Sequence, residues 1–116
     1  MTQDAKIDLP RAVEEMRAEG ERWREVFRVP DLSLGVYRLA RGETDPQTPH
    51  AEDEIYYVLR GRGKIRIEDE DGDVAPGRVI FVKARARHRF HTVTEELALL
   101  VFFSPAEDVE AAKRLA

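Results

Sequence analysis

The hydrophobic and polar residues of this chain follow a helical spacing near the start and a strand-like spacing over most of the remainder. Between Asp8 and Gly20, the apolar residues Leu9, Val13 and Met16 lie three or four positions apart, as on one face of a helix. Glycine is typical of the position just past a helix end. The pattern therefore predicts one short amphipathic helix near the N-terminus.

Short segments rich in strand-forming residues follow this helix, and residues typical of turns separate them. The predicted strands lie around residues 23–28, 32–39, 55–59, 64–68, 78–82, 88–93 and 97–103, with turns at 29–31, 41–42, 61–63, 69–73 and 76–77. Many short strands at this spacing favour an antiparallel sandwich or a small barrel. The acidic run at 68–73 is predicted to be a solvated hairpin turn.

The C-terminal segment has the residues of a helix start. Ser104 and Glu107 are spaced as in a capping box, Pro105 would take the first helical position, and good helix formers follow. A second helix is therefore predicted over 104–116. Because 116 residues leave room for one core, we expect a single domain made of a helix and leading strand (1–31), a barrel (32–103) and this closing helix.

Composition and charge narrow the function classes. The chain carries 19 basic and 23 acidic residues, a formal net charge of -4, so no basic field attracts nucleic acid or anionic lipid. Cysteine is absent from the sequence, which excludes disulfides, thiolate nucleophiles and zinc fingers. The longest apolar run, residues 97–103, is too short to span a membrane, and the first residues lack an apolar signal core. We therefore expect a cytoplasmic protein without nucleic-acid or membrane partners.

The clearest candidates for chemistry are a histidine and a glutamate at the start of a predicted strand. His50 and Glu54 are an even number of positions apart, so an extended chain presents both side chains on one face. A second imidazole from another strand, His88, would complete a set of two histidines and one carboxylate. Such a set suits iron(II), manganese, nickel or zinc, and it leaves coordination positions open for water or substrate.

The spacing around these residues resembles the two conserved motifs of the cupin superfamily. In the first, G(x)5HxH(x)3-4E(x)6G, His50 and Glu54 take the second histidine and the glutamate, and Gly61 takes the closing glycine. In the second, G(x)5PxG(x)2H(x)3N, Gly77 and His88 match in register. The family's proline, glycine and asparagine are replaced by Lys83, Arg85 and Thr92. The resemblance is to a small single-domain cupin, which implies an all-β jelly-roll barrel.

The resemblance also implies a divalent transition metal (zinc, nickel, iron or manganese) held by His50, Glu54 and His88. Family members commonly add a further histidine, and Thr48 stands at that position here. Oxygenase and isomerase chemistry both occur in the family, so one hypothesis is an enzyme acting on a small organic molecule. The missing histidine leaves an alternative open, a non-catalytic barrel that binds or senses a small molecule without metal. The resemblance to small cupins also implies that the chain forms a homodimer.

Side chains on the same strand face as the candidate metal ligands are candidates for lining a small-molecule pocket. Tyr56 shares the face of Glu54, and Phe90 shares the face of His88. Gln47 and Thr48, just before His50, are the other two pocket candidates. The third histidine of the chain, His91, has the opposite parity to His88, so we expect it to face away from the site.

Overall fold

The structure, a computed structural model, describes residues 5–46 and 49–108. These residues form one helix and six strands: α1 (Leu9–Glu19), β1 (Trp23–Val29), β2 (Leu32–Leu39), β3 (Asp53–Ile67), β4 (Glu70–Val74), β5 (Val79–Val82) and β6 (His88–Ser104). Within the described ranges, none of the helical structure has the length and apolar character needed to cross a membrane.

The helix α1 forms where the apolar spacing predicts it. Asp8 caps its start, because Asp8 Oδ1 accepts a hydrogen bond from the Arg11 N–H at 3.1 Å. Gly20 ends it in the left-handed region, with φ of 72°. Val13 and Met16 on its apolar face are buried against the sheet. The predicted amphipathic helix is confirmed.

The strands form one antiparallel sheet in the order β1-β2-β6-β3-β4, with β5 paired to β3. The two long strands, β3 with 15 residues and β6 with 17, pair with each other along most of their length. Their register shifts three times between Val58 and Lys64, and such bulges bend a paired ribbon. The bend brings His88, which pairs with Ile67 at the end of β3, into contact with Glu54 at its start. The predicted small all-β barrel is confirmed.

The predicted turn at 61–63 is wrong, because these residues continue β3 and join the predicted strands 55–59 and 64–68. Gly61 makes this possible: its φ is 99°, and a side chain there would overlap the backbone of Glu96 on β6. In the same way, the predicted strands 88–93 and 97–103 are one strand, β6. The glycines therefore mark a close approach of two strands and not a chain reversal.

The acidic run forms an exposed hairpin, as predicted, but with a shorter turn. Only Glu68 and Asp69 lie in the turn, and the residues after them return as β4, which pairs with the end of β3. The acidic side chains of β4 form ion pairs with basic side chains of β3, with Lys64 Nζ at 3.0 Å from Asp73 Oδ1. A polar sequence can thus form a strand when a paired neighbour supplies the ladder and counter-charges.

The predicted C-terminal helix is not formed in the part of that segment which the structure describes. Residues 105–108 are not helical, and 109–116 lie outside the described ranges. In a capping box the Ser104 hydroxyl would accept the N–H of Glu107. Instead, Ser104 Oγ donates to the Asp31 carbonyl at 3.2 Å, and the Glu107 N–H donates to Ser33 Oγ at 2.9 Å. These bonds hold the segment against the start of β2.

Apolar side chains pack on both faces of the sheet. The interior core contains Leu39, Tyr56, Val58, Ile65, Val74, Val82, Phe90, Val93, Leu97, Leu99, Val101 and Phe103. On the outer face, Val13 and Met16 of α1 cover Val36 and Ala98. Beyond the helix, the outer face exposes a second apolar group, defined here as the outer patch: Ile55, Tyr57, Val79 and Phe81, which are 38% to 66% exposed.

Candidate metal centre

The three predicted ligands meet at one buried point inside the barrel. His50 lies just before β3, Glu54 is the second residue of β3, and His88 opens β6. One donor atom from each lies within 4.8 Å of the others. The side chains of Glu54 and His88 are 2% and 1% exposed, and the side chain of His50 is 14% exposed. The arrangement therefore brings together donors of the types that transition metals bind.

The ring of His88 is oriented by its backbone neighbour. His88 Nδ1 lies 3.0 Å from the Ala86 carbonyl oxygen, which can only accept, so Nδ1 carries the hydrogen and donates it. Nε2 then faces Glu54 Oε1 at 3.1 Å and the Tyr56 hydroxyl at 3.1 Å. Burial alone would lower the pKa of His88, but its close contacts with Glu54 and with the Ala86 carbonyl outweigh burial and raise it.

The donor atoms of His88 and Glu54 that face each other show whether these residues are suited to coordinate a metal ion. Neutral His88 with its hydrogen on Nδ1 presents a lone pair at Nε2, and the carboxylate form of Glu54 presents another at Oε1. Glu54 Oε1 is buried and makes no hydrogen bond of good geometry with the described residues. A cation between the two atoms, either a proton or a metal ion, would satisfy both lone pairs at once, whereas the Tyr56 hydroxyl at 3.1 Å can donate only to His88 Nε2. The residues present thus fit a bound metal.

His50 is held by contacts from two other elements. Its carbonyl accepts a hydrogen bond from the Arg85 N–H at 2.7 Å, and its ring packs on the edge of Phe103 with 4.9 Å between ring centroids. Burial lowers the pKa of His50, and the charge of Glu54 offsets this only in part. The imidazole is therefore predominantly neutral near pH 7, the form that binds metals.

Two departures from the second cupin motif lie at unusual backbone conformations. Arg85, in place of the family's glycine, has φ of 66°, and Thr92, in place of its asparagine, has φ of 49°. Glycine and asparagine are the residues that adopt positive φ most readily. The backbone of this chain therefore keeps the conformation that the motif's glycine and asparagine favour, although other residues occupy the two positions. The strained turn at Arg85 survives because its N–H binds the His50 carbonyl, which fixes the loop that carries a candidate ligand.

Sequence reasoning missed Glu107, which the C-terminal segment brings to the site. Its side chain is 12% exposed, and its Oε2 lies 3.4 Å from His50 Nδ1. Burial, together with the charges of Glu52 and Glu54, raises the pKa of Glu107 to about 7. Glu107 is distant in the sequence from both motifs, and its local spacing is that of a capping box, so no local signal points to the site.

A second buried carboxylate supports the site from the loop after β2. Asp45, 3% exposed, accepts the Tyr37 hydroxyl at 2.7 Å and the Phe90 N–H at 2.8 Å. It thereby satisfies a backbone donor of β6 beside the site, where β2 has already ended. Asp45 is therefore a brace for the strand that carries His88.

The structure describes two of the four predicted pocket residues, Tyr56 and Phe90. Tyr56 lies beside His88 with its hydroxyl, and Phe90 packs edge-on against the Tyr56 ring at a centroid distance of 4.9 Å. Gln47 and Thr48 lie outside the described residues. His91 faces away from the site, as its parity predicts: its Nε2 lies 2.9 Å from Asp71 Oδ1 on β4.

A family model described as a cupin domain matches residues 35–104. The chain belongs to the cupin family. The match runs from β2 to the end of β6 and contains all three candidate ligands. This confirms the recognition of a small single-domain cupin, which the spacing of the two motifs had suggested.

This cupin is similar to one curated protein and to one solved structure over most of its length. An uncharacterised protein of Streptomyces coelicolor is 45% identical over 83 residues, which is 72% of this chain and 79% of that protein. The structure of TT1209 from Thermus thermophilus is similar with a TM-score of 0.70 and 26% identity, covering 87% of this chain and 97% of that one.

Two further solved structures are similar in fold. KdgF from Halomonas sp. has a TM-score of 0.69 and 24% identity, over 76% of this chain and 81% of KdgF. The DMSP lyase DddQ from Ruegeria pomeroyi has a TM-score of 0.65 and 21% identity, over 73% of this chain and 48% of the lyase. At this level of identity the likeness concerns the fold alone.

Proposed function

We propose that this cupin binds one divalent transition metal through His50, Glu54 and His88. The observation that carries the proposal is the buried contact of 3.1 Å between Glu54 Oε1 and His88 Nε2. Because the Ala86 carbonyl holds the hydrogen of His88 on Nδ1, both facing atoms are suited to a shared cation. Zinc, nickel, iron and manganese all accept two imidazoles and a carboxylate.

The metal would use its remaining positions to hold a small organic ligand. A bound ion of this kind supplies Lewis acidity or, with iron, nickel or manganese, an oxygen-activating centre. We propose that such a centre would serve an oxygenase or isomerase acting on an anionic or enolisable molecule. Tyr56, whose hydroxyl lies 3.1 Å from His88 Nε2, and Phe90 behind it are proposed as pocket residues, together with Gln47 and Thr48.

A metal-free barrel that binds or senses a small molecule is the second candidate. The raised pKa of His88 favours it, because a proton between His88 and Glu54 also satisfies both buried atoms. In that form the site is a hydrogen-bonded pair facing Tyr56, and it would bind a polar ligand by hydrogen bonds alone. The two candidates differ in whether purified protein takes up metal.

The outer patch supports a further part of the proposal, a homodimer. Ile55 and Tyr57 on β3 lie opposite Phe81 and Val79 on β5, so four apolar side chains form one continuous exposed surface. β5 pairs only with β3 in the described sheet, which leaves an edge beside this surface. We propose that a second copy of the chain covers it. A cytoplasmic location, without nucleic-acid or membrane partners, stays a prediction.

Metal content decides between the two candidates. Wild type, His50→Ala and His88→Ala are loaded with zinc or nickel, dialysed and measured by elemental analysis. His91→Ala is the matched control, because His91 lies on the same strand as His88 but binds Asp71 on the hairpin. One ion per wild-type and control chain, with loss of metal in both site variants, supports the metal proposal. Wild type without metal supports the metal-free barrel.

A gain-of-ligand variant sharpens the same experiment. Thr48 lies outside the described residues, so this arm rests on the motif spacing alone, which puts a histidine at position 48 in the family. Thr48→His is expected to retain zinc or nickel longer during a chelator challenge and to melt higher in the presence of metal. Oxygen uptake with a panel of enols and catechols then separates an oxygenase from a binding protein.

A further inference from the structure

The two histidines of the site solve the same orientation problem in different ways. An imidazole binds a metal through one nitrogen, and the partner of the other nitrogen selects which one is available. For His88 that partner is a backbone carbonyl two residues earlier, that of Ala86, at 3.0 Å from Nδ1. His50 precedes β3 in a loop, and its Nδ1 lies 3.4 Å from Oε2 of Glu107.

The Glu107 side chain is held at this position by its own backbone. The Glu107 N–H donates to Ser33 Oγ at 2.9 Å, and the Glu107 carbonyl accepts from Arg28 Nη2 at 2.7 Å. The preceding residue, Ala106, donates its N–H to the Pro30 carbonyl at 3.2 Å. The segment is thus bonded to β1, to β2 and to the turn between them. Its carboxylate is built into the wall of the barrel beside His50.

We propose that Glu107 is a positioning residue for His50. The carboxylate accepts the hydrogen of His50 Nδ1 and so leaves Nε2 as the nitrogen that faces Glu54 and His88. The separation of 3.4 Å does not yet have hydrogen-bond geometry, so the proposal requires the two side chains to approach each other by about 0.3 Å. Glu107 lies outside the group of donor atoms that converge, so it orients a ligand and does not bind the ion. The inference rests on the proposed function in one respect, the role of His50 as a ligand.

The test measures the tautomer of His50 in protein without metal, so its result does not depend on metal binding. Long-range ¹H–¹⁵N correlation spectra are recorded near pH 8, well above the lowered pKa of His50, and His50→Ala assigns the signal. Wild type and Glu107→Gln are expected to carry the hydrogen of His50 on Nδ1, because an amide oxygen also accepts. Glu107→Leu is expected to shift the equilibrium towards hydrogen on Nε2. Asp108→Asn, which removes the neighbouring exposed charge, is expected to match wild type.

Zinc affinity, measured by competition with a chelator, is the second readout. Loss of a partner of this kind weakens binding about 10- to 100-fold, and we expect that range for Glu107→Leu with a smaller change for Glu107→Gln. An unchanged His50 tautomer in a folded Glu107→Leu protein would overturn the inference. If that variant does not fold, a tautomer in Glu107→Gln that differs from wild type overturns it. A wild type that binds no zinc while the tautomer still shifts leaves the positioning role intact and removes the proposed metal function.

Discussion

The two faces of β3 reverse the usual distribution of polar and apolar side chains. Towards the interior, the charged residue Glu54 is 2% exposed beside Tyr56, which is fully buried. Towards the outside, the apolar residues Ile55 and Tyr57 are 39% and 38% exposed. A buried charge and an exposed apolar surface each cost free energy unless another group compensates. One strand therefore carries both surfaces for which we propose a partner, an ion on the inner face and a second copy of the chain on the outer face.

The largest expected effect comes from making the inner face wholly apolar. Glu54→Leu removes the only carboxylate of the converging donor set described for residues 5–46 and 49–108, so zinc binding should be lost altogether. Without metal, the free energy of unfolding should fall by about 3 to 5 kcal/mol, because the change removes one member of the buried Glu54–His88 pair and leaves the other in place. Elemental analysis and chemical denaturation measure the two quantities.

The control for this change is Glu95→Leu, an exposed glutamate on β6 that is remote from the site. It should leave zinc binding unaltered. Equal zinc retention by Glu54→Leu and wild type would remove Glu54 from the metal centre.

The next effect compares the part of the outer face under α1 with the outer patch. Met16 is fully buried, and Phe81 is 57% exposed. Met16→Ala should lower the free energy of unfolding by about 2 to 5 kcal/mol, the range for a large buried side chain. Phe81→Ala should change it by about 0.5 kcal/mol or less at concentrations where the protein is monomeric. Denaturant titration of both variants measures this difference, and similar values for the two would contradict it.

A charge in the outer patch should separate the proposed dimer. Phe81→Lys places an ammonium group in the middle of the surface that a second copy would cover, and desolvating it costs far more than the lost apolar contact. Light scattering at micromolar protein is expected to give the dimer mass for wild type and the monomer mass for the variant. Thr94→Lys, with the same change of charge at an exposed position on β6, should remain a dimer. A monomeric wild type would refute the dimer.

The smallest expected effect is a gradual loss of zinc from the inner-face site as the pH falls. Both imidazoles must be neutral to bind metal, and their ordinary pKa is about 6.5. The pKa of His88 is raised and that of His50 is lowered, so protonation of His88 begins first as the pH falls. Zinc retained after dialysis should therefore decrease between about pH 7 and 5, while the dimer mass stays constant because the outer patch has no group titrating there. Constant retention over this range would argue against these ligands.

The sequence predicted the parts of the site that depend on spacing within one strand or turn. The motif spacing placed His50 and Glu54 at one site, although only Glu54 lies on a strand and His50 lies in the loop before it. His88 follows from a motif whose glycine, Gly77, has φ of 87°. The two-glycine segment 61–63 misled the strand prediction, because glycine serves both a turn and a close approach of strands. Glu107 was unpredictable for another reason. Its place depends on hydrogen bonds to Ser33 and Arg28, which are distant in sequence and carry no local pattern.

Because the β3–β6 ribbon is bent, a metal ion bound at the site would hold its two arms together. Glu54 begins β3, Ile67 ends it, and Ile67 is paired with His88. An ion joining Glu54 to His88 would close this path into a ring, with the bulges between Val58 and Lys64 at its far side. Pulling the two arms of the ribbon apart would then require breaking a coordination bond as well as unpacking side chains. The metal would act as a clasp, and amide exchange along both arms would slow in proportion to its occupancy.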